Sequence, residues 1–221
     1  MHHAPQEIDS QPAGVKIHGM GLYDEHILPR ILNVVMGTAD IREERKKCLA
    51  EVTGDVLEVG FGSGLNLPHY PAGVKKVVAV DPSVVGAKLA RKRVEEAPFP
   101  VEYLPLKGEE ISAPDASFDS VVSTFTLCTI PDVTAALGQI RRVLKPGGRF
   151  FFVEHGRSPE PSVQRWQDRL NGVEQFLAGG CNFNRNMEQL ITAAGFQLVT
   201  LEKYYAKGPK VATYFYRGSA K

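Results

Sequence analysis

The 221-residue chain is long enough for one well-buried core and too short for two full-sized domains. A hydrophobic content of 43% excludes global disorder, and 26 basic against 25 acidic residues give no electrostatic reason to expect nucleic acid or an acidic membrane as partner. No apolar run approaches the ~20 residues that span a bilayer, and Cys48, Cys128 and Cys181, odd in number and far apart, argue against a zinc knuckle or a disulfide framework.

Those cysteines set the expectation of a reducing, cytoplasmic setting and no metal. Residues 1–22 read as a polar tail and 23–217 as one domain, divided into N-terminal helices (23–52), a core (53–156) and a distal part (157–217). In the tail, Met1 to Gly14 contains no apolar stretch of signal-peptide type. Apolar residues at helical spacing then predict helices over Asp24–Met36, where Ile27, Ile31, Val34 and Val35 share a face, and over Asp40–Val52, where Ile41, Arg45, Cys48 and Leu49 do.

From Gly54 the texture changes to alternating strands and helices. Continuous apolar runs predict strands at Asp55–Val59, Lys76–Val80, Val101–Leu106, Phe118–Thr124 and Arg149–Val153, which is how strands buried on both faces of a parallel sheet read. Helices are predicted at Leu65–His69, Val84–Glu96 and Val133–Leu144, after which Lys145-Pro146-Gly147-Gly148 halts the chain before the fifth strand. Two further helices are expected at Val163–Leu177, with Trp166 and Phe176 packing the helix, and at Arg185–Ala194. The β-rich segments Phe196–Tyr205 and Val211–Arg217 read as an antiparallel hairpin at the sheet edge. Such an order predicts a doubly wound α/β sheet whose ligands sit beyond the carboxyl ends of the strands.

Two loops at that edge carry chemistry. Val56-Leu57-Glu58-Val59-Gly60-Phe61-Gly62-Ser63-Gly64 runs from a strand into a GxGxG turn, and Leu65 stands where a dinucleotide fingerprint has its last glycine. The strand ends on Glu58, a buried acid that a cationic amino group on a ligand would satisfy. Asp81, followed by Pro82 and Ser83, ends the next strand about 17 residues beyond Gly64, where a carboxylate can accept from a pair of ribose hydroxyls. The bland alternative is that Asp81 or Ser83 caps the following helix. Gly108-Glu109-Glu110-Ile111, a third loop, offers backbone amides and an acid to an adenine.

Glu58–Gly64, Val80–Ser83, Ala113–Asp119 with the following Ser120–Cys128, and Arg142–Gly148 together resemble the successive motifs of class I S-adenosylmethionine methyltransferases. The likeness covers roughly 54–156 and, with the hairpin, reaches about Arg217. More narrowly the chain resembles the methyltransferase-like group that includes the thiol S-methyltransferases. That likeness rests on Gly64-Leu65-Asn66 with Tyr70-Pro71, Thr126-Leu127-Cys128, Phe152-Val153-Glu154-His155 and Gly179-Gly180-Cys181. The resemblance implies a Rossmann-like, mostly parallel seven-stranded sheet with an antiparallel last strand. It implies a cofactor, S-adenosyl-L-methionine, held by Gly60, Gly62, Gly64 and Asp81; Glu58, Asn66, Pro82, Ser83, Gly108, Glu109 and Thr126 complete the expected set. Lys107 departs from the pattern where many such enzymes place an acid. The thiol-methylating relatives carry an apolar N-terminal segment, which is absent from this polar tail and puts membrane association in doubt.

On the acceptor side, His155 is the candidate base, since its ordinary pKa lies near neutrality, with Tyr23, Cys128, Glu154, Cys181 and Asn182 as candidate contacts. The expected partner is a small acceptor such as a thiol, with peripheral membrane contact allowed. The alternatives are a phospholipid amine or a quinone as acceptor, or a silent cofactor-binding protein; the fold-level rival, a nicotinamide oxidoreductase, is disfavoured by the glycine spacing.

Overall fold

The computed structural model describes residues 21–107 and 110–221. The expected tail largely precedes that range, and Gly108 and Glu109 fall in its gap, so both expectations lie outside the described residues. The apolar runs become β1 (Gly54–Val59), β2 (Val74–Val80), β3 (Val101–Leu104), β6 (Phe118–Thr124) and β7 (Leu144–His155). The short strands β4 (Leu106–Lys107) and β5 (Glu110–Ile111) form a separate antiparallel pair. Pro105 interrupts the run expected to continue from Val101 to Leu106, because a proline has no N–H for the ladder.

With β8 (Leu198–Tyr205) and β9 (Tyr214–Ala220), seven strands form one sheet in the order β3-β2-β1-β6-β7-β9-β8. The pairs among β3, β2, β1, β6 and β7 are parallel, and β9 runs antiparallel to both β7 and β8. The C-terminal hairpin therefore forms the edge with its second strand inward. The chain leaves β1 towards β2 and β3, then returns to β6 on the other side. This reversal opens a crevice beyond the carboxyl ends of β1 and β6.

Successive residues of each central strand point to opposite faces, and both faces are covered. On one side Leu57, Val59, Val121, Phe150 and Phe152 pack with α4 (Val133–Val143) and α6 (Met187–Ala193). On the other, Val56, Val77, Val122 and Phe151 pack with α2 (Ala39–Leu49) and α3 (Val84–Glu95). Lys145–Gly148 lies within β7 as an outward loop: Leu144 pairs with Phe118, and the ladder resumes at Arg149 with Ser120. The helix expected at Leu65–His69 is a single 3₁₀ turn, Leu67–His69, shortened by Pro68.

Two helices keep their expected places but not their expected packing. In α1 (Leu28–Val35) the buried residue is Leu28, while Ile31 and Val34 face outward. In α5 (Pro161–Leu177) the buried positions are Val163 and Gln167, and Trp166 and Phe176 are 56% and 54% exposed rather than packed. Periodicity found each stripe but could not say that no sheet lies beneath it. In the π-helical turn before α1 (Tyr23–Ile27) the Tyr23 hydroxyl donates to the Leu177 carbonyl (2.9 Å), so Tyr23 latches the N-terminal segment to the end of α5.

Candidate active site

The cofactor half of the crevice is built from β1, β2 and the loops that follow them. Gly60, Gly62 and Gly64 all have positive φ. Their surroundings differ. A Cβ on Gly60 would fall inside the Thr126 side chain, whereas a Cβ on Gly62 meets nothing nearer than a backbone oxygen at 4.0 Å. The open face of the loop is therefore at Gly62. Gly86, in the first turn of α3, is pressed against the Gly62 carbonyl, which fixes the helix N-terminus beside that opening.

Asp81 stands at the same place, ending β2. Its Oδ2 accepts from the Gly62 N–H and its Oδ1 from the Ser83 N–H, both at 2.7 Å. Each carboxylate oxygen retains a second lone pair. Burial raises the Asp81 pKa, and these two N–H groups pull it back. Ser83 caps α3, its Oγ accepting from Gly86 N (2.9 Å); its hydroxyl is taken up by the helix, as the bland alternative had it. Pro82 is exposed.

Glu58 is 2% exposed, and its partners come from the chain. Asn66 Nδ2 donates to it at 2.9 Å and the Tyr70 hydroxyl at 2.6 Å. Arg45, itself 5% exposed, donates to Asn66 Oδ1 (2.9 Å) and Thr124 Oγ1 (2.5 Å). Arg45 of α2 thus places a positive charge near this acid, joined to it through Asn66. Burial pushes Glu58 up to about 7, against the opposing pull of Tyr70 and Arg45. Asn66 is wholly buried in this network, a brace under the glycine loop. Sequence reasoning missed Arg45, although its place on the stripe with Ile41, Cys48 and Leu49 was the available signal. It quoted Tyr70 without giving it a role.

The acceptor half begins after β6. Phe125 turns the chain at φ 55°, a conformation that costs an L-residue about 1–2 kcal/mol. Glu154 holds the turn: its Oε1 accepts from Ser123 Oγ (2.8 Å), Thr126 N (3.0 Å) and Leu127 N (3.1 Å). Fully buried, it clamps two strand ends through that one oxygen, and its Oε2, also buried, has no partner among the described residues. Burial raises its pKa, offset by these donors.

Cys128, His155 and Cys181, distant in sequence, come together here, and their ligand atoms lie within 4.8 Å of one another. His155 Nε2 stands 2.7 Å from Cys181 Sγ, so the imidazole is engaged by a thiol of the chain itself. Burial lowers the His155 pKa, but the adjacent sulfur more than offsets it and the net shift is upward. Contacts from Cys128 and then His155 hold the Cys181 thiol below its ordinary value, while Cys128 is pushed up by that same contact and by burial. Asn182 fastens the pair: its N–H and Nδ2 donate to the Cys128 carbonyl at 2.8 and 3.1 Å, and its Oδ1 accepts from Asn171 and Gln175. Arg185, also missed, donates to the Leu127 and Ile130 carbonyls. Thr126 joins the halves, lying against Gly60 two residues before Cys128.

Residues 57–152 match the family model described as a methyltransferase domain. A thiol S-methyltransferase of Rattus norvegicus is 35% identical over 73% of this chain and 69% of its own length. The chain belongs to the class I S-adenosylmethionine-dependent methyltransferases. A phosphatidylethanolamine N-methyltransferase of Cereibacter sphaeroides is 36% identical over 61% of the chain and 64% of its own length. Among solved structures, a possible histamine N-methyltransferase of Thermotoga maritima superposes with a TM-score of 0.65 over 91% of this chain and 99% of its own; at 22% identity it speaks to the fold alone.

The residues present fit the cofactor of this family. Gly62 opens to space at the switch point, Asp81 is fixed beside it with lone pairs to offer, and α3 presents its N-terminus to the same opening. The fold and the cofactor assignment thus agree with the expectations from sequence.

Proposed function

We propose that this methyltransferase acts on a small, apolar or amphipathic thiol. The observation that carries the reading is the convergence of two cysteines and a histidine, Cys128, Cys181 and His155, in the acceptor half, beside a Glu154 whose Oε1 is held by three donors while its buried Oε2 has none among the described residues. Thiol and imidazole groups make a soft, polarisable wall that suits a neutral sulfur acceptor. The likeness to a thiol S-methyltransferase points the same way.

Bound cofactor supplies a methyl group already activated on a sulfonium. The chain's own task is alignment and exclusion of water. Gly62 leaves room for close approach, Asp81 would accept from the ribose hydroxyls, and the Thr126–Gly60 contact sets the acceptor side against the cofactor loop. No helix among the described residues is long and apolar enough to cross a membrane. Three free cysteines suit the cytoplasm, and residues 23–217 would work as one domain.

A second reading, a phospholipid amine as acceptor, is favoured by the outward apolar residues of α1 and α5, among them Val34, Trp166, Val173 and Phe176. The discriminating experiment is a turnover screen that detects S-adenosylhomocysteine across alkyl thiols, amines, phenols and phosphatidylethanolamine vesicles. Turnover confined to thiols is expected. Turnover on vesicles alone would replace this reading with the second.

A further inference from the structure

Cysteine and histidine are ligands for borderline-soft transition metals, and three such donors converging within 4.8 Å amount to more than a lone thiol. Bonds of ~2.0–2.3 Å place the donors of a tetrahedral zinc centre roughly 3.5–3.8 Å apart. The donors thus lie near that spacing, and His155 Nε2, 2.7 Å from Cys181 Sγ, would have to draw back by roughly 1 Å to admit an ion.

The scaffold around it is rigid. Cys128 and Cys181 are buried at 2% and 4% exposure, and the Asn182 hydrogen bonds to the Cys128 carbonyl tie their backbones together. His155 ends β7, held in the ladder opposite Phe215 of β9. Arg185 pins the Leu127–Ile130 turn that carries Cys128. His155 is the least buried of the three, and Glu154, the next candidate donor in sequence, commits its Oε1 to the strand-end turn while its buried Oε2 has no partner among the described residues.

We propose that Cys128, His155 and Cys181 bind a divalent cation of the zinc class, leaving a fourth position that takes the sulfur of the acceptor thiol. Three protein ligands with one exchangeable place is the pattern of catalytic rather than structural zinc. A thiol entering that place binds as thiolate and gives its proton to solvent. The sulfur then forms a bond to the methyl carbon as the sulfonium's carbon–sulfur bond breaks, and that electron pair stays on the sulfur of S-adenosylhomocysteine. The metal changes neither charge nor oxidation state. The fourth-ligand assignment rests on the thiol reading above; the metal site itself does not.

The test uses the full chain, reduced and treated with chelator, then titrated with Co²⁺ in the absence of methyl donor. A thiolate-to-cobalt charge-transfer band saturating at one ion per chain is expected, with displacement by Zn²⁺. Losing an outer-shell partner costs a metal site roughly 10–100-fold in affinity. Cys128→Ser, Cys181→Ser and His155→Gln, each removing a ligand, should cost more than that, while Cys48→Ala should leave the titration unchanged. A small alkyl thiol should shift the visible bands and the corresponding alcohol should not.

Cobalt binding without the sulfur band, or with equal affinity in Cys181→Ser, would overturn the site. So would a reduced chain that binds no Co²⁺ and closes a Cys128–Cys181 disulfide in air. Thiol turnover unchanged after chelation would overturn the metal's role while sparing the thiol reading. A chain that binds Co²⁺ but methylates only phospholipid would do the reverse.

Discussion

In the cofactor half, the contacts that shape the two ligand loops are near in sequence: Asn66 meets Glu58 across 8 positions and Gly62 meets Asp81 across 19, while the brace beneath them, Arg45 to Thr124, spans 79. In the acceptor half, Asn182 grips Cys128 across 54 positions and His155 meets Cys181 across 26. The first half is a pair of strand-to-helix turns whose shape is dictated by glycines and one acid. The second exists only once β6, β7 and the segment after α5 have packed together. A loop of the first kind keeps its motif in the linear chain, whereas a cluster of the second kind leaves single residues that look unremarkable.

The comparison breaks most easily at Glu154. If the acceptor half is assembled by long-range packing, one buried clamp should matter more there than any loop residue. Glu154→Ala leaves Ser123 Oγ and the Thr126 and Leu127 N–H groups without their acceptor, beside a φ of 55° at Phe125 that they help to hold. Leaving a buried neutral donor without its acceptor costs about 1–3 kcal/mol. Urea unfolding at neutral pH should show that loss as a lower midpoint. A change below about 1 kcal/mol would mean that the turn stands without the clamp.

The glycine loop offers a sharper contrast within the first half. Gly60→Ala places a methyl inside the Thr126 side chain at φ 76°, combining about 1–2 kcal/mol of backbone strain with about 1–3 kcal/mol of overpacking. Gly62→Ala meets open space, so only the backbone strain applies to folding. Its methyl instead projects where the cofactor is proposed to approach. Thermal unfolding paired with calorimetry against S-adenosylhomocysteine should find Gly60→Ala mainly destabilised and Gly62→Ala mainly weakened in binding. Equal effects on both measurements would dissolve the distinction.

How far sequence could be read follows the same division. The parallel core and the GxGxG loop were legible because buried strands and a tight turn impose local composition. The outward faces of α1 and α5 were not, since a stripe such as Trp166, Leu170 and Val173 records only which residues share a side. Glu58 was recognised as a buried acid needing a partner, yet Asn66 and Tyr70, which donate to it, and Arg45, which reaches it through Asn66, were not identified in that role. His155, Cys128 and Cys181 were each singled out from sequence, but their meeting was invisible: spacing of 27 and 26 residues matches no local ligand pattern.

Asp81 and Ser83 give the finest cut, because both stood as cofactor contacts or as helix caps. The structure gives them different partners. Ser83 Oγ accepts from Gly86 N, and Asp81 takes the N–H groups of Gly62 and Ser83 while keeping lone pairs on the open side. Asp81→Ala should therefore weaken S-adenosylhomocysteine binding by roughly ten- to a hundredfold, the equivalent of about 1.5–3 kcal/mol for hydrogen bonds to a charged acceptor. Ser83→Ala removes only the cap, costing about 1 kcal/mol of stability, and cofactor affinity should stay within twofold of the parent on the ~0.4 kcal/mol scale that surface changes leave. Calorimetry and thermal melts on the two variants read both quantities. A Ser83→Ala chain that melts like the parent but binds cofactor ten times more weakly would hand the ribose to Ser83 and leave Asp81 as the brace between loop and helix.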